Sequence, residues 1–153
     1  MPAAKSLYME TTEIDPQKTA GEIISELVHA GSTSVNTEYT AGEISGLRWI
    51  MRVGGSDVLF DMPVRVEPIY KILEKRGRDS WQYDAQKTRE KAKRVAWRQL
   101  LRWVQAQNAM IETGMVQAAE VYLPYMVNPG TGRTLFEHMA ESGYKMLGDG
   151  RTQ

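Results

Sequence analysis

Hydrophobic and polar positions alternate most regularly in the stretch from Thr33 to Met62. The runs TSVNTEY and ISGLRWIMRV flank TAGE, and VLFDM follows Gly54-Gly55. Two glycines between alternating runs predict a two-residue hairpin loop. Val53 then faces Ser56, and the register follows outward from that pair. One face pairs Met51 with Val58, Trp49 with Phe60 and Leu47 with Met62. The other pairs Arg52 with Asp57, Ile50 with Leu59 and Arg48 with Asp61. Each charge lies opposite its counter-charge, so Arg48 and Arg52 read as cross-strand partners before they read as ligand-binding groups.

Helical spacing governs most of the remainder. Asp15-Pro16 reads as N-cap and first helical residue, and Ile23, Ile24, Leu27 and Val28 carry that helix to Gly31. VRVEPIYKILEKRG is helical from about Glu67, with Gly77 as terminator. RDSWQYDA leads to a long helix over about 84–113, capped by Asp84. Ala118 to Leu123 predict a further helical turn, and TLFEHMAES a short last helix capped by Thr134. KSLYMETTEI alternates enough to predict a first strand. The expected fold class is α+β: an antiparallel meander of three strands plus the N-terminal strand, with helices on its Trp49/Phe60 face. Residues 1–142 are expected to form a single domain and 143–153 a flexible C-terminal tail.

The long helix holds the densest chemistry, in the stretch KTREKAKRVAWRQLLRW (Lys87 to Trp103). At 100° per residue, Leu100, Leu101, Val104 and Ile111 fall within about 60° of Trp97, an arc that reads as core. Ala92, Ala96, Trp103 and Met110 widen it. Lys87, Lys91, Arg94, Arg98 and Arg102 follow at spacings of 4, 3, 4 and 4, which aligns five cations in one stripe. The stripe spans about 22 Å at 1.5 Å per residue. A line of cations of that length matches a run of phosphates and gains from counterion release. The plainer reading is a solvated face, or one covered by Glu38, Glu43 or the acids of the first helix. Trp81, in the connector, is the aromatic residue best placed to stack on a base.

Charge sharpens this picture. The chain has 153 residues, 19 Lys or Arg, 19 Asp or Glu and no net charge, yet the balance is uneven. Between Arg65 and Arg102 twelve Lys or Arg face five acids, and elsewhere seven face fourteen. A neutral chain divided in this way suggests a localised anion-binding face. Cys is absent, which excludes disulfides, thiolate nucleophiles and zinc–thiolate sites. Two distant histidines, His29 and His138, are too few for a multi-His metal site, so neither metal nor cofactor is expected. There is no recognisable acid/base pair, nucleophile motif or Gly-rich dinucleotide loop, and the balance leans away from an enzyme. NPGTGRT places two glycines, a Thr and Arg133 before a helix, but it lacks the Lys-Ser/Thr of a phosphate-binding loop. No apolar run approaches a membrane span, and the N-terminus lacks the apolar core of a signal peptide. A cytoplasmic protein is expected, one without membrane partners.

RVAWRQLLRWVQAQNAMIETGMVQAAEVYLPYM, with DMPVRVEPIYKIL before it, resembles a group of small proteins encoded by bacteriophages and prophages. In that group a strand ends in a Pro-Val pair, and a helix with a Trp-Arg/Leu-Trp pattern leads to Leu-Pro-Tyr. The resemblance covers residues 8 to 139 and implies phage DNA metabolism or antagonism of host defence, inside the host cytoplasm; it carries no site residues. Two functions follow. One is a non-enzymatic nucleic-acid-binding protein, on single strands, using Lys87, Lys91, Arg94, Arg98 and Arg102 for phosphates and Trp81 for bases. The other is a sequestering protein that binds a host protein or a small nucleotide without chemistry, through Tyr122, Tyr125 and Arg133, across the interface of a homo-oligomer.

Overall fold

The computed structural model describes residues 5–145. Among them the order is α1 (Pro16–His29), β1 (Ser34–Thr40), β2 (Glu43–Val53), β3 (Ser56–Pro63), α2 (Glu67–Gly77), α3 (Ala85–Glu112), α4 (Ala118–Tyr122) and α5 (Leu135–Glu141). A 3-10 turn at Leu123–Tyr125 joins the last two. The fold is α+β, with three antiparallel strands in the order β1-β2-β3. The expectations for residues 1–4 and 146–153, including most of the C-terminal tail, lie outside the described residues.

The β2–β3 hairpin adopts the register that its two glycines and its charge pattern require. Gly54 and Gly55 take φ of 59° and 84°, and the pairs run from Val53–Ser56 to Gly46–Pro63. Arg48 bonds Asp61 at 3.1 Å and is also 3.3 Å from Glu38 of β1, while Arg52 lies 3.6 Å from Asp57. On the other face Leu47, Trp49, Met51, Phe60 and Met62 are buried and form the floor of the core. β1 pairs with β2 until Ser45 is skipped between the Glu38–Gly46 and Tyr39–Ile44 pairs. Next to this bulge the chains approach closely: a Cβ on Gly46 would stand 2.9 Å from the Met62 carbonyl oxygen. The outer edge of β3 is occupied by the chain itself, where Val127 N–H donates to the Leu59 carbonyl at 2.9 Å.

Helix α3 crosses this core as its central rod. Trp97, Leu101 and Val104 pack into the cluster that holds Trp49, Phe60, Ile23 and Leu27. On the α2 side Ala92 meets Tyr70 and Leu73, its small side chain letting the helices come close. On the α1 side stand Arg98 and Asn108, both buried. The remaining side is covered only over the first half of the helix, since Arg102, Ala106 and Ala109 further along it are exposed. Val95 lies about 160° from Trp97 around the helix, yet it is fully buried.

Residues 5–14 account for that last side, and they correct the expectation of an N-terminal strand. They form turns in place of a strand, with Met9 at φ 65° and Glu10 N–H donating to the Leu7 carbonyl at 3.0 Å. Gln99 on α3 donates to the Tyr8 carbonyl at 2.9 Å, and Arg76 on α2 reaches both the Glu10 carboxylate and the Lys5 carbonyl. Leu7 packs against the Tyr70–Leu73–Ala92 cluster. A short apolar alternation fits either a strand or a strap laid over helices. Here the strap prevails because Leu7 finds its apolar partners on α2 and α3.

Candidate nucleic-acid interface

The five-cation stripe of α3 does not lie on one open face. Arg98 is turned into the protein with 7% of its surface exposed. It donates to Glu22 Oε2 at 2.9 Å and to Thr19 Oγ1 at 3.2 Å, both on α1. A guanidinium taken out of water needs such partners, and one acid and one hydroxyl of the first helix supply them. Lys91 and Arg94 are half-buried, and Nε of Arg94 has no hydrogen-bond partner. Lys91 and Arg76 both favour the charged form of Glu10. The acid is held below its ordinary range first by the bond from Leu7 N–H and then by Arg76 and Lys91. Arg102 is exposed and bonds Gln105 at 2.9 Å. Of the five, Lys87 and Arg102 remain fully at the surface, about four turns apart.

The same fold gathers other cations that stripe reasoning on one helix could not find. On α2, Lys71, Lys75 and Arg78 follow at spacings of 4 and 3, all exposed, on the side away from the buried Tyr70 and Leu73. No carboxylate lies within ion-pair distance of these three, of Lys87 or of Lys91 among the described residues, whereas Arg76 pairs with Glu10 and Arg89 with Glu67. The two helices run to one tip, residues 78–84. Unpaired cations therefore approach that tip from both sides, Lys75 and Arg78 along α2, Lys87 and Lys91 along α3. Acids share the region: Glu74, Asp79, Glu90, and Asp84, whose Oδ1 caps α3 by accepting from Lys87 N–H at 3.1 Å, while Glu10 lies near enough to Lys91 to feel its charge. Trp81 stands at the tip with 91% of its surface exposed.

The second constellation, Tyr122, Tyr125 and Arg133, does not converge into a pocket. Tyr122 is wholly buried and stands edge-on to Trp49 at 5.4 Å and to Trp103 at 5.7 Å. Its hydroxyl donates to Asn108 Oδ1 at 3.0 Å, and Asn108 in turn donates to the Glu26 carbonyl at 2.9 Å. Burial, with the charge of Glu26 adding to it, pushes the phenol up to about 12. Tyr125 is half-buried against Trp103, and Arg133 pairs with Glu141 on α5. In NPGTGRT the glycine amides are already engaged. Gly130 N–H donates to Asn128 Oδ1 at 2.8 Å and Gly132 N–H to the Asn128 carbonyl at 2.7 Å, so the loop holds itself together and cradles nothing.

Among the described residues no group of three His, Asp or Glu side chains is placed to hold a metal ion, and no helix is long and apolar enough to cross a membrane. What the arrangement offers is electrostatic and aromatic: a helical hairpin with charge along both arms and an indole at its end. Compared with protein families, curated proteins and solved structures, the chain matches none.

Proposed function

We propose that the protein binds nucleic acid, without chemistry of its own, through the end of the α2–α3 hairpin. The observation that supports this most is that Lys75, Arg78, Lys87 and Lys91 lie on the two arms that meet at one tip, none with a carboxylate at ion-pair distance among the described residues. Cations left unpaired on neighbouring turns repel one another, and phosphates relieve that repulsion while releasing counterions. We propose phage DNA metabolism as the setting, on the sequence resemblance alone.

Fluorescence anisotropy with labelled oligonucleotides tests the reading. About four neutralised phosphates give a slope near −3 for log affinity against log salt on a single strand. Lys75→Glu and Lys87→Glu should each lower affinity at least tenfold at low salt. Arg102→Glu, whose side chain lies well along α3 from the tip, should change it little. Absence of binding at about 50 mM salt, where such contacts are strong, would overturn the proposal. Stabilisation by mononucleotides alone would support the sequestering function in its place.

A further inference from the structure

We infer that this interface selects unpaired bases, because Trp81 offers an open stacking face on an ordered turn beside the phosphate-binding cations. The inference rests on the nucleic-acid reading above and names its substrate class.

The backbone on both sides of Trp81 is pinned. Ser80 N–H donates to the Gly77 carbonyl at 3.0 Å, and Tyr83 N–H to the Ser80 carbonyl at 3.1 Å. Gln82 N–H donates to Ser80 Oγ at 3.2 Å. The hydroxyls of Tyr83 and Tyr70 are 3.2 Å apart and hydrogen-bonded, which ties the end of the turn to α2. The turn that carries the indole is thus ordered, while the ring itself projects into solvent with 91% of its surface exposed. The other three tryptophans are spoken for. Trp49 and Trp97 are each 1% exposed, and Trp103 lies edge-on to Tyr122 and Tyr125.

Asp79 and Asp84 stand on either side of Trp81 in the turn, so the turn itself carries negative charge. The charge that attracts a strand lies to either side, on Arg78 and Lys75 and on Lys87 and Lys91. A strand held by those cations passes a π face at the one place where its phosphates are not wanted. Stacking of a base on an aromatic ring raises affinity by a factor of roughly ten to a hundred. Bases in a duplex are already stacked on both faces, and Trp81 reaches one only if the duplex unstacks, which is unfavourable. Selection of single strands follows from that difference.

The test titrates the full-length protein with a single-stranded dodecamer, with the same sequence as a duplex, and with heparin, a polyanion without bases. Tryptophan emission and competition anisotropy are read together. The single strand should quench the exposed Trp81 emission and bind about tenfold tighter than the duplex, and heparin should bind without quenching. Trp81→Ala should cost about tenfold on the single strand, remove its advantage over duplex and leave heparin affinity unchanged. Trp81→Phe should retain part of the advantage. An unchanged single-strand to duplex ratio in Trp81→Ala, or duplex bound as tightly as single strand by the unaltered protein, would overturn the inference while leaving the polyanion interface standing. Failure to bind all three polymers would instead remove the interface itself.

Discussion

Arg98 of α3 and Glu22 of α1 are joined at 2.9 Å, with only 9% of the arginine side chain exposed and 35% of the glutamate. The pair locks the first helix to the central one and removes Arg98 from the surface charge. Arg98→Ala leaves Thr19 and Glu22 without their donor and should lower stability by about 2–4 kcal/mol. Glu22→Gln keeps a hydrogen-bond acceptor and should cost about 1 kcal/mol. Urea denaturation of both variants decides the matter; an unchanged midpoint for Arg98→Ala would contradict the burial. Charge reversal at Arg98 therefore tests folding, and binding lost with it is no evidence for phosphate contact.

Alkaline pH should act through Tyr122. Its folded-state pKa of about 12 exceeds that of an unfolded tyrosine near 10. The neutral phenol's contribution is complete below pH 10 and is lost as the pH rises from about 10 to 12, worth on the order of 2–3 kcal/mol. Thermal melts across that range should show the decline, and Tyr122→Phe should flatten it while lowering stability at pH 7 by leaving Asn108 Oδ1 unpaired. Absorbance at 295 nm should show Tyr39 ionising before Tyr122, since bonds from Gln17 and Thr37 hold Tyr39 below its ordinary value.

The turn between β1 and β2 has Ala41 at φ 53° followed by Gly42 at φ 80°. Alanine is strained in that region, whereas Asn-Gly suits such a hairpin. Ala41→Asn should stabilise the protein by about 0.5–1 kcal/mol and raise Tm by about 1–4 °C. A fall in Tm would show that Ala41 makes a contact the asparagine cannot replace.

Gly46 presents the opposite case. A methyl group there would press on the Met62 carbonyl oxygen and the Pro63 Cα, both backbone atoms that cannot turn aside. Gly46→Ala should destabilise by about 1–3 kcal/mol and weaken amide protection along β2 and β3. Wild-type exchange rates in the variant would refute the close approach.

The hairpin was fully legible in the chain because its two faces carry independent information. Apolar pairs and opposite charges agree on one register, and a slip of one residue would break both. The surroundings of α3 were less legible. A helical wheel assumes one covered face, and the wide apolar arc was consistent with that assumption. Val95, a lone β-branched residue amid charges, was the available sign of a second covered side. Thr19 was another: it shares the 19-20-23-27 stripe that α1 buries, and a buried hydroxyl there needs a polar neighbour. The cations of α2 were visible at their 4 and 3 spacing, but only the tertiary fold brings their end beside the start of α3. Trp81 was legible for the same reason that it stands alone, since nothing in RDSWQYDA repeats with a period that would bury it.

Because α3 packs against segments that precede it and segments that follow it in the chain, the order of synthesis matters. The strap at 5–14 and helix α1 are complete about 70 and about 55 residues before the start of the helix they rest on. At translation rates of roughly 5–20 residues per second, that is a wait of several seconds. During it Ile23 and Leu27 lack α3, while the β2–β3 hairpin, with its local pairing, can already close. Tyr122 comes later still, and with it the last aromatic ring over Trp49. Until the rod arrives, the amphipathic α1 presents Ile23 and Leu27 without their partners, and it is the segment that a chaperone would cover.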